Sequence, residues 1–370
     1  MAKYLVSVDR TVPLAQCPSE GHNRWHPDVT PMLHLKSGEE AEIETRDSFD
    51  CQIEKTMQSA DLARANLGRA HPLTGPVYVE DAAPGDLLAV DILDVRSHDE
   101  GFTLIAPGFG FLRDIFTAPL LVHWEMRDGF ATSPDLPGVR IKGDPFFGVM
   151  GLAPSMALLK QINAREKVLH DRGGQVFLPD TDSAVPSDTA ISSQAMRTIA
   201  PHETGGNLDI KQLTKGTTIY LPVYAEGALF SVGDAHFAQG DGESCGSAIE
   251  TSAVLHARFR VLKGEATRRG QKDASFGTES APRAPLDSST RFYATTGTCI
   301  TSDGQNLSED LSLATRNALL NMIDHISDRY KLAPEYALAL ASVAVNLRIS
   351  QIVDAPNLTV SAFLPLEIFD

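Results

Sequence analysis

The sequence predicts an α+β protein that is rich in β-structure, with a β-sandwich or jelly-roll-like body and a smaller α+β part at the C-terminal end. Many short β-type runs, separated by Gly and Pro turns, fill the first 265 residues. Strand and helix do not alternate regularly, and no G-x-G-x-x-G motif is present. Short strands with frequent turn signals are typical of sandwiches and barrels rather than doubly wound sheets.

The strands that we predict in the body are short runs of β-branched and aliphatic residues bounded by turn residues. They cover residues 4–8, 40–45, 77–80, 87–95, 139–141, 217–224, 230–233 and 254–262. A short helix is expected over 156–162 after Pro154, and the polar stretch 163–186 is expected to form a loop.

A polar stretch separates the body from the C-terminal part. Residues 264–290 are rich in Gly, Ser, Pro and charged side chains, which is typical of an exposed insertion or linker. We therefore divide the chain into a β-rich body over 1–265 that carries most of the site motifs, an exposed insertion or linker over 266–290, and an α+β part over 291–370 packed on the body.

A strong helical pattern follows this stretch. Ser308 is the expected N-cap, and Glu309 and Asp310 complement the helix dipole in the first turn. Apolar residues at helical spacing form one core-facing stripe: Leu311, Ala314, Ala318, Leu319, Met322, Ile323, Ile326 and Tyr330. A second helix from Pro334 towards Asn346, packed through Ala339, Leu340 and Val343, and a strand over 358–364 complete the prediction.

Composition and charge narrow the classes of function. The 370 residues are 42% hydrophobic and carry a formal net charge of −16, which argues against a nucleic-acid or anionic-membrane partner. No apolar run approaches the roughly 20 residues of a transmembrane helix, and the N-terminal segment has no apolar signal region. The four cysteines (Cys17, Cys51, Cys245 and Cys299) lie far apart without a C-x-x-C pair, which fits a reducing cytoplasm.

The most informative stretch covers residues 231–250, where Asp234, His236, Asp241 and Glu243 lie among glycines. It joins two β-type runs, so we expect a Gly-rich turn that carries ligands. On an extended chain, Asp234 and His236 point to the same side and can share one ion. A carboxylate and an imidazole suit zinc or a similar divalent ion, which makes these two residues the leading metal ligands. The simpler alternative is a solvated acidic hairpin with an incidental histidine.

Three further segments add candidate site residues. Residues 202–212 place His202, Glu203, Asn207 and Asp209 around the Gly205-Gly206 pair, whose main chain can turn sharply or present N–H groups to a ligand. Residues 44–52 contain Asp47 and Asp50, and residues 21–28 contain His22 and His26 on either side of Trp25. Each segment taken alone is also explained as a turn, a cap or surface charge.

Several short motifs, in one order along most of the chain, resemble the acetamidase/formamidase family and its formamidase branch most closely. They are His22-Asn-Arg-Trp-His-Pro-Asp28, Gly75-Pro-Val-Tyr-Val-Glu80, Pro84-Gly-Asp-Leu-Leu88, Gly148-Val-Met-Gly-Leu-Ala-Pro154, Gly205-Gly-Asn207, Gly233-Asp-Ala-His236 and Gln239-Gly-Asp-Gly-Glu243. The resemblance implies hydrolysis of formamide, or another short aliphatic amide such as acetamide, to the carboxylate and ammonia. It also implies a role in nitrogen metabolism and a homo-oligomer. Acetamidase-type members carry histidine where this chain has Thr204, and the nearby histidine here is His202.

Amide hydrolysis needs an activated water, a polarised carbonyl and a proton for the leaving nitrogen. A divalent metal held by Asp234 and His236, zinc in preference to calcium, would serve the first two needs. The third ligand is open among Asp47, His202 and Glu243. Glu243 is the expected general base and later acid, with Asp47 and His202 as further catalytic candidates.

The remaining parts of the predicted site bind the substrate. Asn207 and the main chain of Gly205 and Gly206 would donate hydrogen bonds to the developing oxyanion. Bulky side chains would exclude water from a small pocket, and the candidates are Phe146, Phe147 and Trp25. No organic cofactor is expected.

Other interpretations stay open at the level of the sequence. Asp241, Glu243 and main-chain carbonyls are hard donors that would hold a structural calcium ion. Cys245 is a candidate thiol nucleophile, although its acidic neighbours disfavour the thiolate. His22 and His26 are candidates either for catalysis or for pinning the N-terminal segment to the body.

The alternatives to an amidase are a non-catalytic module that binds a metal or small ligand and a metal-dependent lyase on the same scaffold. The histidines outside these segments are assigned to structural or surface positions: His34, His71, His98, His123, His170, His256 and His325.

Overall fold

The structure is a computed structural model that describes residues 4–278, 291–332, 334, 337, 341, 344–366 and 369. Its α-helices are α1 (Met156–Asp171), α2 (Thr189–Ser192), α3 (Glu265–Arg269) and α4 (Leu311–Tyr330). Short 3₁₀ turns cover Leu14–Gln16, Pro18–Glu20, Ser59–Arg64 and Leu67–Arg69. The described residues contain no helix that is both long and apolar enough to span a bilayer.

The strands of the described chain are β1 (Tyr4–Val6), β2 (Arg24–Trp25), β3 (Leu33–Leu35), β4 (Glu40–Glu44), β5 (Leu73–Val79), β6 (Leu87–Ser97), β7 (Glu100–Ile105), β8 (Leu120–Arg127), β9 (Phe130–Thr132), β10 (Ile141–Lys142), β11 (Phe146–Leu152), β12 (Met196–Arg197), β13 (Gly205–Asn207), β14 (Thr218–Pro222), β15 (Phe230–His236), β16 (Glu250–Thr251), β17 (Ala253–Leu262), β18 (Ser275–Thr278), β19 (Phe292–Gly297), β20 (Asn346–Gln351) and β21 (Thr359–Pro365).

These strands form two large, mostly antiparallel sheets and one small ribbon. Sheet 1 has the order β1-β4-β17-β6-β14-β18-β19-β21-β20. Sheet 2 has the order β10-β9-β8-β7-β16-β15-β11-β13, with β5 also paired to β15 and β3 to β5. The ribbon joins β2 to β12. The α+β, β-rich class predicted from the sequence is confirmed.

One apolar core joins the two large sheets. It contains side chains from sheet 1, such as Leu255 and Phe259, and side chains from sheet 2, such as Met150 and Phe230. The rings of Phe230 and Phe259 meet edge to face with centroids 5.2 Å apart. Burial of these large apolar side chains supplies the main free energy that holds the sheets together.

Most of the predicted strands are confirmed within a few residues. The predicted ranges 4–8, 40–45, 77–80, 87–95, 217–224, 254–262 and 358–364 correspond to β1, β4, β5, β6, β14, β17 and β21. Residues 139–140 are not in a strand, because β10 begins at Ile141. Strand β15 continues past residue 233 to His236, which bears directly on the site.

The predicted loop over 163–186 is wrong in its first part, because helix α1 extends to Asp171. Ser155 caps this helix by accepting a hydrogen bond from the Leu158 N–H. Its buried face includes Glu166, a polar residue that interrupts the apolar pattern of the helix in the sequence. The Glu166 carboxylate contacts the buried His202 ring. The contact between Glu166 and His202 therefore helps to stabilise the second half of α1, which the sequence analysis does not predict.

The first part of the predicted insertion contributes to the fold. Helix α3 lies within it, and the buried strand β18 pairs with β14 and β19 in the middle of sheet 1. Residues 279–290, which include the rest of this stretch, lie outside the described residues. Sheet 1 thus runs without interruption from the body into the C-terminal part, and the domain division itself stays a prediction.

Helix α4 packs on sheet 1, and its predicted apolar stripe is confirmed as a core face. Its N-cap is Asp310 rather than Ser308, because the Asp310 carboxylate accepts the Leu313 N–H at 2.9 Å and Glu309 has a left-handed φ of 57°. A Cβ on Gly297 would lie 2.2 Å from the Ala318 nitrogen, so this glycine lets the helix approach the sheet. Predicted contacts of 339, 340 and 343 in a second helix lie outside the described residues.

Candidate active site

The predicted pair Asp234 and His236 lies on strand β15 itself, not on the turn that follows it. Strand β15 is held between β11, β5 and β16, and His236 pairs with Glu250 of β16 in the register. Directly opposed residues of antiparallel strands point to the same face, as do residues two apart on one strand. This register brings Asp234, His236 and Glu250 together.

The imidazole of His236 lies between two carboxylates. Its Nε2 atom is 3.3 Å from Asp234 Oδ1 and 3.3 Å from Glu250 Oε2. Its Nδ1 atom is 2.9 Å from Gln239 Oε1 and 3.9 Å from Asp209 Oδ1. Within the described chain, His236 Nε2 and Glu250 Oε2 are buried without a partner in hydrogen-bond geometry, as is Asp209 Oδ1.

Asp209 and Asp354 extend this group from the opposite side. Each of these two carboxyl groups shifts the pKa of the other. The Asn207 side chain donates to Asp354 Oδ2 and to the Ile199 carbonyl, each at 3.0 Å. Asp354 follows strand β20, so the C-terminal part of the chain completes a site that begins in the body.

Glu243 enters from the turn after β15. It has a left-handed φ of 48° and is buried. The turn is fixed to β20, because the Gly242 N–H donates to the Ser350 carbonyl and the Gly242 carbonyl accepts the Ile352 N–H. Ligand atoms of Glu243, Asp209 and His236 lie within 4.8 Å of one another, as do those of Asp234, His236 and Glu250.

We call these six residues the His236 cluster: Asp209, Asp234, His236, Glu243, Glu250 and Asp354. Their side chains are buried, from about 1% exposed for Asp209 to 7% for Glu243. Gly148 on β11 leaves room for them, since a Cβ there would lie 2.3 Å from Asp209 Oδ1 and 2.5 Å from Asp234 Oδ2. A side chain at this position would therefore displace two carboxylates.

The buried setting shifts the pKa values of the carboxyl groups in the cluster. Burial raises the pKa of Glu243 and of Asp354 well above the usual range, and the charge on Asp209 adds to both shifts. Burial also raises the pKa of Asp209 and Glu250. A positive charge placed among these carboxylates would replace the solvation that they have lost.

Two members of the cluster have pKa shifts in the direction opposite to that expected from burial. Burial opposes the charged form of Asp234, but the neighbouring imidazoles of His71 and His236 outweigh it and lower the pKa of Asp234. Burial likewise opposes the charged His236 ring, but Glu250 and Asp234 outweigh it and raise the pKa of His236 well above its usual value. These groups fit the site of a cation.

The other predicted catalytic residues do not belong to these metal-ligand groups. Asp47 accepts the N–H groups of Phe49 and Cys51 at 2.9 and 3.1 Å and closes its own turn. Burial raises the pKa of Asp47 to about 6 against these hydrogen bonds. His202 Nε2 lies 2.6 Å from Glu166 Oε1 of helix α1, and both side chains are buried.

The Gly205-Gly206 pair lies on strand β13 beside β11. Both residues have left-handed φ values, 91° and 98°. A Cβ on Gly205 would lie 2.6 Å from the Met150 carbonyl oxygen, so the close strand contact requires glycine. The Gly205 N–H donates to the His202 carbonyl.

The predicted N-terminal histidines have structural partners. His22 Nδ1 lies 2.7 Å from the Arg24 carbonyl and its Nε2 lies 2.7 Å from Ser231 Oγ, which ties the N-terminal segment to β15. Burial lowers the pKa of His22 to about 4, so the ring is neutral near pH 7. His26 Nδ1 accepts the Asp28 N–H at 3.1 Å.

Of the bulky residues predicted to exclude water from the pocket, only Phe146 has a described ring contact with the His236 cluster, and the Cys245 thiol lies against main-chain carbonyls. Phe146 meets the His236 ring edge to face with centroids 5.0 Å apart. Phe147 belongs to the core between the sheets, and Trp25 packs with residues of helix α1. The Cys245 Sγ atom faces the main-chain carbonyls of Leu104 and Ser247 at 3.7 and 3.4 Å, neither of which is a base.

The sequence analysis missed four contributors to the site. Glu250 and Gln239 were inside quoted segments without a role, Asp354 was not considered, and His71 was assigned to a structural or surface position. Glu250 lies in the same segment as Asp234 and His236, but no local pattern gives the register that pairs it with His236. No local signal connects Asp354 or His71 to residue 234, since these contacts are tertiary.

Comparisons with known proteins agree with this architecture. The family model described as the acetamidase/formamidase family matches residues 7–370. The chain is 35% identical over 369 residues to a formamidase from Methylophilus methylotrophus, covering 94% of this chain and 89% of that protein. It is 34% identical over 357 residues to an acetamidase from Mycolicibacterium smegmatis, covering 88% and 86%.

A solved structure of a gamma lactamase from Delftia acidovorans superposes with a TM-score of 0.72 and 32% identity, over 99% of this chain and 93% of that one. The chain therefore belongs to the acetamidase/formamidase family. It is a hydrolase that acts on the carbon–nitrogen bond of amides.

Proposed function

We propose that the His236 cluster is the active site and that it hydrolyses short linear amides, formamide first and acetamide second, to the carboxylate and ammonia. The observation that carries the proposal is the buried group of Asp234, His236 and Glu250, in which His236 Nε2 and Glu250 Oε2 lack hydrogen-bond partners within the described chain. Relatives named formamidase and acetamidase support the substrate class. The near-complete burial of the cluster favours a small, uncharged substrate.

The donor set supports a divalent metal held by Asp234, His236 and Glu250. Two ligands at about 2.0–2.2 Å from a tetrahedral zinc lie roughly 3.3–3.5 Å apart, and both Nε2–oxygen distances here are 3.3 Å. An imidazole with two carboxylates suits zinc better than calcium, which prefers a shell of oxygen ligands. Three protein ligands leave a fourth position open for catalysis.

A divalent ion in this position would polarise the amide carbonyl and lower the pKa of a bound water. Glu243 accepts a proton from the attacking water as the new carbon–oxygen bond forms. The same carboxyl then donates that proton to the nitrogen as the carbon–nitrogen bond breaks and ammonia leaves. Its ligand atoms lie within 4.8 Å of those of Asp209 and His236, which supports this role.

Asn207 is our main candidate for substrate binding. Its Nδ2 donates to Ile199 and Asp354, while its buried Oδ1 has no partner among the described residues. This oxygen accepts a hydrogen bond from the substrate amide. Gly205 and Gly206 keep the main chain close to β11, and the contacts of Asp47 and His202 favour supporting roles rather than proton transfer.

We also infer that the two sheets are the layers of a β-sandwich body, since they share one core. Helix α4 covers the end of sheet 1 through its contacts with β19 and β21. A homo-oligomer and a cytoplasmic location stay predictions from the sequence and the family resemblance.

The test is ammonia release from formamide and acetamide by purified protein, before chelation, after chelation, and after zinc is restored. We expect release that chelation abolishes and zinc restores. Release that survives complete metal removal would contradict the metal site and direct attention to Cys245. No release from any short amide would contradict the substrate class.

An internal control is available on the same turn. Asp241 is exposed and pairs with Lys211 and Arg348. Asp241→Asn should keep full metal-dependent activity. Loss of metal in this variant would instead support a calcium ion on the acidic turn.

A further inference from the structure

Gln239 joins three segments of the site. Its side-chain oxygen lies 2.9 Å from His236 Nδ1. Its side-chain nitrogen lies 2.9 Å from the Asp209 carbonyl oxygen and 3.3 Å from the Ser350 carbonyl oxygen. It therefore contacts the end of β15, the cluster residue Asp209 two positions after β13, and strand β20.

The two main-chain carbonyls fix which way the Gln239 amide faces. A carbonyl oxygen only accepts hydrogen bonds, so the amide NH₂ group must point to Asp209 and Ser350. The amide oxygen is then left facing His236. Reversing the amide would place its oxygen against both carbonyl oxygens and would lose both hydrogen bonds.

This orientation determines where the imidazole carries its hydrogen. The Gln239 oxygen is an acceptor only, so His236 Nδ1 must be the donor in the 2.9 Å contact. In the neutral ring the lone pair is then on Nε2, the atom that lies 3.3 Å from both Asp234 and Glu250. The other ring nitrogen, Nδ1, faces Gln239 rather than Asp234 and Glu250.

We propose that Gln239 is a positioning residue that holds the His236 ring with Nδ1–H outward and presents Nε2, and not Nδ1, to the metal. The inference rests on the proposed function for its metal, but the hydrogen bond itself does not. Histidine ligands commonly donate their other ring N–H to an acceptor that fixes the ring, and losing that acceptor typically costs about 10–100-fold in metal affinity.

A purely structural role is the competing explanation, because Gln239 also ties Asp209 to Ser350. Gln271 provides a matched control. Its side-chain nitrogen also donates to two main-chain carbonyls, those of Tyr220 and Asp273, at 3.3 and 2.9 Å. Gln271→Met removes the same kind of tie without touching a histidine.

The first measurement is zinc affinity by competition with a chromophoric chelator. Gln239→Met should lose roughly 10–100-fold in affinity. Gln239→Glu keeps an acceptor for Nδ1–H and should recover most of it, while Gln271→Met should bind like wild type. Wild-type affinity in Gln239→Met, or an equal loss in Gln239→Glu, would overturn the proposal.

The second measurement needs no bound metal. In ¹⁵N-histidine NMR spectra of the metal-free wild type, a slowly exchanging His236 Nδ1–H is expected, assigned by its absence in His236→Gln. A missing or rapidly exchanging Nδ1 proton would overturn the proposal. A protected Nδ1–H in a protein that binds no zinc would retain the positioning role and contradict the proposed metal site instead.

Discussion

Two clusters of buried ionisable side chains in this protein differ in how their charges balance. The Arg165 network, formed by Arg165, Glu166, His202 and Glu203, pairs each acid with a base. Arg165 binds Glu203 with two contacts of 2.5 and 2.8 Å, and His202 binds Glu166 at 2.6 Å. The His236 cluster instead gathers five carboxyl groups around one imidazole.

The difference supports a structural role for the Arg165 network and the functional role that we propose for the His236 cluster. In the Arg165 network, burial works against the charged form of Glu203, but Arg165 outweighs it and lowers the pKa of Glu203. In the His236 cluster, burial raises the pKa of four carboxyl groups, and atoms that face one another stay unpartnered within the described chain. Buried ionisable groups with strongly shifted pKa values are concentrated at functional sites, which supports the role proposed for the His236 cluster.

The largest effect is expected from the proposed metal ligands. His236→Ala or Asp234→Asn should lower kcat/KM by roughly 1,000-fold or more, since metal catalysis is worth several kcal/mol and each 1.36 kcal/mol is tenfold. Steady-state ammonia release with metal analysis checks this. Full activity in either variant would place the active site elsewhere.

Glu243→Gln should lower kcat by roughly 100–1,000-fold, because a general acid–base group contributes on this scale. Zinc content should stay at the wild-type level, since Glu243 is not among the three proposed ligands. Elemental analysis beside ammonia release separates the two effects. Loss of zinc together with activity would make Glu243 a ligand rather than a proton carrier.

The Arg165 network should respond in stability rather than in chemistry. His202→Ala leaves Glu166 buried and unpaired, which should cost about 3 kcal/mol of unfolding free energy. Glu250→Gln in metal-free protein should instead leave the free energy of unfolding unchanged or raise it. The substitution removes a buried carboxyl group whose pKa is raised by burial. Denaturant unfolding of both variants tests the contrast. A large destabilisation by Glu250→Gln would remove the distinction between the two groups.

Asp47→Asn should have the smallest effect, with activity within a few-fold of wild type. The pKa of Asp47 is raised to about 6 from an ordinary 3.8, so the native state holds its proton more tightly than the unfolded chain. Wild-type stability from this group is therefore lost as pH rises from about 4 to 6. Unfolding curves at pH 4 and pH 7 should show Asp47→Asn gaining relative stability at pH 7. A loss of activity beyond about 100-fold would restore a catalytic role.

Local patterns in the sequence predicted the parts of the site that one strand and its turn provide. Asp234 and His236 are two residues apart on β15, and Glu243 follows in the turn after that strand, so all three belong to one short segment. The class of fold was predicted from the same kind of local signal, since the composition and flanking turns of strands such as β6 and β17 indicate β-structure.

The rest of the site depends on sheet pairing that no local pattern encodes. Glu250 reaches His236 through the register of β16, and Asp354 arrives from the far end of the chain after β20. Helix α1 was underestimated for a similar reason, because its buried Glu166 is stabilised by His202 rather than by an apolar stripe. When a polar side chain is buried because it contacts a residue far away in the sequence, the hydrophobic pattern around it does not indicate its burial.

The most direct test of the central claim is the zinc stoichiometry of wild type and Asp234→Asn, measured by elemental analysis beside ammonia release from formamide. The account predicts about one tightly held zinc per wild-type chain, activity that rises in proportion to that content, and neither metal nor activity in the variant. Equal zinc in both proteins, or full activity in wild type stripped of metal, would contradict the assignment of the His236 cluster as a metal-dependent amidase site.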